Sequence, residues 1–205
     1  AVFLSASSLL TAMVMVVFFD STPFLLCLVV VMNLLGWFYS TPPVQLNARG
    51  LGEASIALGT GFIIPAVGYI STLGSIDGTY LFFSIPLVIY GFILGLSLEL
   101  PDLEGDREYG RKNLVVLAGR RFTALLVFLL TILASAFFVL FIVLDYINLW
   151  ILPIFSAIPI IAGLKGYSAQ SNDQVRADHN SKLYISSLFL VLIVLDIYLL
   201  LLVFS

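Results

Sequence analysis

An all-α, polytopic membrane helical bundle is the fold class this chain predicts, and three observations carry that prediction. Of its 205 residues, 61% are hydrophobic and only 10% are charged, against about a quarter charged in an ordinary soluble domain. The mean hydropathy is +1.13. The apolar residues also gather into stretches long enough to cross a bilayer, which takes about 20 residues as a helix. In lipid the backbone must satisfy its own hydrogen bonds, so these stretches are helices and not open strands.

Seven stretches qualify, at roughly 2–19, 23–39, 54–72, 79–98, 122–144, 148–164 and 183–204. The first begins at Ala1, already inside an apolar run and without Met. No basic region precedes it, as one would in a signal peptide, so the start is expected to be a truncated edge. Asp20-Ser-Thr-Pro23 turns the chain into the second stretch. That stretch holds Cys27, the single cysteine, which forms no internal disulfide and is expected to be a small buried hydrophobe. The third and fourth stretches carry Pro65, Pro86, Gly59, Gly61, Gly68 and the Gly91–Gly95 pair. Proline can kink a helix. The glycines have two readings, close helix packing or a lateral cavity for a lipid-like chain. Phe128 to Val143, in the fifth, is rich in β-branched and aromatic residues. It is too long for a strand and lacks period-two alternation. The sixth carries Pro153 and Pro159, and the last has Asp196 near its middle. A charge there is costly, which makes Asp196 a functional candidate or a protonated or hydrogen-bonded group.

The charges predict orientation. All nine Lys and Arg lie in three connections: Arg49; Arg107, Arg111, Lys112, Arg120 and Arg121; and Lys165, Arg176 and Lys182. The alternate connections carry Asp20, Asp77 and Asp145 with no basic residue. Basic loops stay in the cytoplasm, so the N-terminus is expected inside and the C-terminus outside. The external turns are short, which makes neighbouring helices antiparallel. The whole of 1–205 reads as a single membrane domain. With net charge −3 and no basic patch beyond these loops, no nucleic-acid partner is expected.

Two of the basic connections carry chemistry-bearing residues. The first reads Tyr39-Ser-Thr-Pro-Pro-Val-Gln-Leu-Asn-Ala-Arg-Gly-Leu-Gly-Glu53. Its prolines end a helix and fix an extended segment. Gly50 and Gly52 permit a tight turn, and Glu53 suits the N-terminus of the next helix. The second, Glu99 to Arg121, reads ELPDLEGDREYGRKNLVVLAGRR. Asp102 and Asp106 are four apart, so on a helix they share one face. Paired hard oxygens suit Mg²⁺ held between protein and a substrate diphosphate, and Arg107, Arg111 and Lys112 can meet phosphate charge. The competing reading is a solvated loop whose charges only enforce topology. Arg120 and Arg121 are read as topology anchors. The third connection, with Gln170, Asn172, Asp173, Arg176, Asp178 and His179, has no metal-ligand spacing. It reads as a solvated loop or as a lid.

YSTPPVQLNARGLGE followed by ELPDLEGDREYGRKNLVV resembles the UbiA superfamily of intramembrane prenyltransferases. The RGLGE and ELPDLEGD segments look most like the branch that prenylates 1,4-dihydroxy-2-naphthoate for menaquinone. The resemblance implies nine helices and two aspartate-rich motifs on the cytoplasmic face. Asp102 and Asp106 align with the second motif. This chain then corresponds to the last seven helices, with two helices and the first motif upstream. It departs from the pattern at Gln45 and Asn47, where many members carry basic residues, and at Asn113, where a Thr is usual.

The function implied is Mg²⁺-dependent transfer of a prenyl group from a polyprenyl diphosphate to an aromatic acceptor, as in quinone or menaquinone biosynthesis. On the resemblance, Asp102 and Asp106 hold Mg²⁺, with Glu99 assisting from one turn earlier if the helix extends so far. Arg49 and Lys112 face phosphate or acceptor oxygens, with Arg111 a further substrate-binding candidate. Tyr39 shields the cation with its ring. The partners are the diphosphate, the acceptor and membrane lipid. A transporter would place polar groups in broken mid-membrane helices, often in an internal repeat; only Asp196 fits. A non-catalytic or degenerate membrane subunit is the other alternative, and the fragment alone could be inactive.

Overall fold

The first five expected stretches are helices in the computed structural model. It describes residues 2–144 and, beyond them, 157–161, 164, 179, 182–187, 189–190 and 193. Helix α1 spans Val2–Phe18 and α2 spans Pro23–Ser40. Thr22 begins α2 as its N-cap, its hydroxyl accepting from the Phe24 N–H at 3.5 Å, with Pro23 in the first turn where a missing N–H costs nothing. The two helices pack side by side, and Asn33 Nδ2 donates to Ser8 Oγ at 3.0 Å across them. Cys27 is exposed on α2, not buried as expected. Within a bilayer an outward-facing thiol behaves as one more apolar side chain.

The third stretch is continuous over Gly52–Leu73 but not uniform. Helix α3, Gly52–Leu58, passes through one widened turn at Gly59–Ile63 into α4, Ile64–Leu73. Pro65 explains the widening, since its ring would collide with the carbonyl four residues earlier in a regular helix. The Phe62 carbonyl in that turn accepts the Tyr80 hydroxyl.

Helix α5, Gly78–Glu99, follows a turn in which Asp77 caps its N-terminus. The Asp77 carboxylate accepts the Tyr80 N–H at 2.9 Å and the Tyr69 hydroxyl at 2.8 Å. Helix α5 is the axis of the fold. On one side it packs against α3 and the widened turn, on the other against α8, Arg120–Val143. A Cβ at Gly61 would lie 2.4 Å from Val88 Cα, and one at Gly95 would lie 3.0 Å from Glu53 Cα. These glycines are used for close helix approach. Gly68, with nothing within 4 Å, is not.

The core has two parts. Ala12, Leu25, Leu28, Ile63, Ala66, Ile70 and Tyr80 join α1, α2, α4 and the start of α5. Leu87, Tyr90, Ile93, Leu96, Val115, Val127, Ala134 and Phe138 join α5, α8 and the loop between them, and Tyr184, from the helical residues 182–187, packs into the same cluster. Outward-facing Phe3, Phe18, Phe122 and Val143 are what a lipid-facing surface presents. Among the described residues the protein is all-helical. Four helices are long and apolar enough to cross a membrane: Pro23–Ser40, Gly52–Leu73, Gly78–Glu99 and Arg120–Val143; the apolar Val2–Phe18 is shorter. It is an integral membrane bundle. The expected helices at 148–164 and 183–204 lie largely outside the described residues, as do Asp145, Pro153, Asp173, Asp178 and Asp196. Residues 157–161 and 182–187 are helical.

Candidate active site

The two polar connections meet at one end of the bundle. The first leaves α2 at Ser40, makes a short turn at Leu46–Ala48, and enters α3 at Gly52. Gln45 and Gly50 have positive φ, 46° and 76°. Gly50 is required twice over: an L side chain is strained at that φ, and a Cβ would lie 2.7 Å from the Lys112 carbonyl oxygen. The second connection is not a loose loop. It folds into α6, Leu103–Glu108, and α7, Leu114–Ala118. Gly119, at φ 80°, then turns the chain into α8.

Three contacts lock the connections together. The Lys112 N–H donates to the Ala48 carbonyl at 3.4 Å. The Leu114 N–H donates to Glu53 Oε1 at 2.7 Å. The Gly52 backbone rests against Glu99, so that a Cβ there would lie 3.4 Å from Glu99 Oε1. Pro101 separates Glu99, the last residue of α5, from α6. Glu99 is thus not one turn before Asp102 on a shared helix, although the Asp102 N–H donates to its carbonyl at 3.1 Å.

Asp102 and Asp106 do stand one helical turn apart. Asp102 is the N-cap residue of α6, and the Asp106 N–H donates to its carbonyl at 2.8 Å. Their side chains have different surroundings. Asp102 is exposed and its carboxylate does not cap the helix. Asp106 is 6% exposed. Its Oδ1 accepts Arg111 Nη1 at 2.8 Å and its Oδ2 accepts Asn113 Nδ2 at 2.7 Å. Asn113 is itself 1% exposed, and its Oδ1 accepts the Val116 N–H at 2.8 Å, capping α7.

Charge converges around Asp106. The Tyr39 hydroxyl lies in the field of Glu99, Glu53, Arg111 and Asp106, and Glu99 in the field of Glu53, Asp106 and Arg111. Glu99 Oε2 is buried without a hydrogen-bond partner. Arg111, paired with Asp106, is the cation whose field reaches both Tyr39 and Glu99. The other predicted residues stand further out. Arg49 is exposed and its Nη2 donates to the Pro43 carbonyl at 2.7 Å, within its own loop. The Lys112 side chain is exposed. An exposed pair, Arg107 with Glu104 at 3.5 Å, contributes little.

Two members of the cluster, Glu53 and Asn113, are not among the predicted site residues. Glu53 is 1% exposed. Its signal was a carboxylate opening an apolar helix, which suits a helix dipole equally well. Asn113 was legible as a cap before an apolar run, while its second bond, to Asp106, left no local trace.

The donor set fits Mg²⁺ only as an ion shared with substrate. Among the described residues no three His, Cys, Asp or Glu side chains come together to cage a metal. Mg²⁺ does not need such a cage, since it takes one or two carboxylates and completes its shell with phosphate and water. Each Asp106 oxygen keeps a lone pair beyond the one already used, and Asp102 is open to solvent.

The chain is 24% identical over 140 residues to the 1,4-dihydroxy-2-naphthoate octaprenyltransferase of Bacillus subtilis (strain 168), a match covering 65% of this chain and 43% of that protein. The chain therefore aligns with less than half the length of this relative. No solved structure matches it. Residues 1–200 match the UbiA prenyltransferase family, and the chain belongs to that family.

Proposed function

We propose that this protein transfers a prenyl group from a polyprenyl diphosphate to an aromatic acceptor, with Mg²⁺ at the Asp102–Asp106 turn. One observation supports the reading above all others. Two polar connections, far apart in sequence, close on each other at one end of the bundle and bring Tyr39, Glu53, Glu99, Asp106, Arg111 and Asn113 into one cluster. Family membership supports the reaction class. The name of the Bacillus subtilis relative supports a dihydroxynaphthoate-type ring as acceptor, and hence a place in quinone synthesis. The proposal includes seven spans in one domain, with the basic connections in the cytoplasm.

Asp102 and Asp106 would hold the ion. When bound, Mg²⁺ offsets the diphosphate charge and makes pyrophosphate a better leaving group. Arg111 and Lys112 bind the remaining phosphate charge, and Arg49 holds phosphate or acceptor oxygens. Glu99 borders the substrate side of the cluster. Tyr39 turns its ring toward the allylic cation left when the C–O bond breaks. The acceptor carbon attacks that cation and releases its proton. The surrounding apolar helices exclude water, which would otherwise capture the cation.

The test is turnover by the purified full-length protein in detergent, with a prenyl diphosphate and a panel of aromatic acceptors, before and after chelation. Prenylated product that disappears on chelation and returns with Mg²⁺ is expected. No product with any acceptor would defeat the proposal.

A further inference from the structure

We infer that Glu53 is a positioning residue for the Asp106 carboxylate, acting through the Leu114 amide and Asn113; the inference rests on the function proposed above. The reaction as described gives Glu53 no contact with substrate. Yet a carboxylate that is 1% exposed is costly to bury unless it is paired. Its pairing is specific: Oε1 takes the Leu114 N–H at 2.7 Å. Leu114 is the first residue of α7, and its N–H is one of the donors a helix leaves unsatisfied at its start.

The next residue back is Asn113, whose amide grips Asp106 Oδ2 at 2.7 Å while its carbonyl caps Val116. A continuous chain of contacts thus runs from α3 to the proposed metal carboxylate. Its two ends differ in rigidity. Glu53 is fixed, because its Cα lies 3.0 Å from where a Cβ on Gly95 would stand, so α3 is pressed onto α5 there. Asp106 sits on α6, six residues long, and is followed by α7, five residues long. Helices that short do not hold themselves in water. Their placement is borrowed from the scaffold, and Glu53 is the group through which α3 lends it.

The side-chain chemistry separates this role from an electrostatic one. In Glu53→Gln the amide oxygen still accepts from Leu114, and the new NH₂ can donate toward the neighbouring Glu99 carboxyl. Glu53→Ala removes the acceptor altogether. The purified full-length protein carrying Glu53→Ala, Glu53→Gln, Asn113→Ala or the Glu53→Ala/Asn113→Ala pair is compared by two measurements. The first is turnover against Mg²⁺ and prenyl diphosphate concentration. The second is amide hydrogen exchange over 114–116 in metal-free protein.

Glu53→Ala and Asn113→Ala should each raise the half-saturating Mg²⁺ concentration by roughly 10- to 100-fold, as loss of an outer-shell partner does. Glu53→Gln should stay close to wild type. The double variant should be no worse than the worse single one, because both break the same chain. Exchange over 114–116 should rise in Glu53→Ala and not in Glu53→Gln. An unchanged Glu53→Ala, a Glu53→Gln as damaged as Glu53→Ala, or effects that add in full would each overturn the inference. If Glu53→Ala loses exchange protection throughout α5 and α8, it has failed to fold; an unchanged Asn113→Ala or a damaged Glu53→Gln then overturns the inference instead. A wild-type protein without turnover would remove the proposed function, while the exchange arm would still judge the Glu53 link.

Discussion

Asp106→Ala and Asp102→Ala should both end turnover, yet only the first should lower stability. Asp106 holds two partners. Asn113 Nδ2, 2.7 Å away on a residue 1% exposed, would lose its acceptor. A buried donor left unmade costs about 1–3 kcal/mol. Arg111 is 46% exposed in its side chain, so it is largely rehydrated, and the lost ion pair adds up to about 1 kcal/mol. Asp106→Ala should therefore cost about 1–4 kcal/mol. Asp102 is exposed and caps nothing with its side chain, so its removal should stay within about 0.5 kcal/mol. Denaturant or thermal unfolding of metal-free protein in detergent measures the difference, beside turnover with Mg²⁺. Both variants should still insert into the membrane. Equal losses of stability, or none in Asp106→Ala, would refute the account of Asp106 as a buried and doubly bonded carboxylate. Full activity in both variants would remove their proposed metal role.

Three further outcomes are expected. Gly61→Ala places a methyl 2.4 Å from Val88 Cα and 2.5 Å from the Leu87 carbonyl oxygen, so α5 must move and stability should fall by about 1–3 kcal/mol; Gly68→Ala, in open space, should be neutral or slightly stabilising, and equal unfolding midpoints would refute this. The Asp77 carboxyl is held below its ordinary value by the Tyr80 N–H and then by the Tyr69 hydroxyl, so its contribution is present above the ordinary carboxylate range and lost as pH falls through the depressed value. Unfolding temperature should accordingly drop less on acidification in Asp77→Asn than in wild type, and identical pH profiles would count against the cap. Tyr39→Phe should keep most activity while Tyr39→Leu loses up to roughly 30-fold in kcat, the worth of a desolvated cation–π contact; equal losses in the two would place the role in the hydroxyl and not the ring.

The spans were legible because a bilayer imposes length and apolarity on every crossing helix, leaving a one-dimensional signal. The first five expected stretches and the observed helices differ by two residues at most at either end. The turn carrying Asp102 and Asp106 was legible too, as a spacing of four within a polar block. Less legible was how the polar block folds. Helices α6 and α7 are too short to show a period, and their ends are set by Pro101, Gly110 and Gly119 and by partners distant in sequence. The burial of Asp106 against the exposure of Asp102 follows from those partners. Two aspartates with the same spacing and chemistry are told apart only by what folds over one of them. The widened turn before Pro65 was half legible: proline signals a disturbance but not its form.

Asn113 shows why a departure from a family's pattern need not weaken a site. Its side chain has an acceptor and a donor on separate atoms, and both are used, one on Val116 and one on Asp106. A Thr at this place has a single oxygen, one bond closer to the backbone. Its hydroxyl caps a helix somewhat less well than Asn does, and it would have to accept from the helix and donate to the carboxylate through that one atom. With Asn the start of α7 and the orientation of Asp106 become one structural decision. Through the Leu114 N–H and Glu53 that decision is tied to α3, and through Gly95 to α5. Losing cationic side chains at Gln45 and Asn47 removes charge from the first connection. What it leaves intact is the framework that aims Asp106 and Arg111, and for an ion shared with a diphosphate, direction matters as much as total charge.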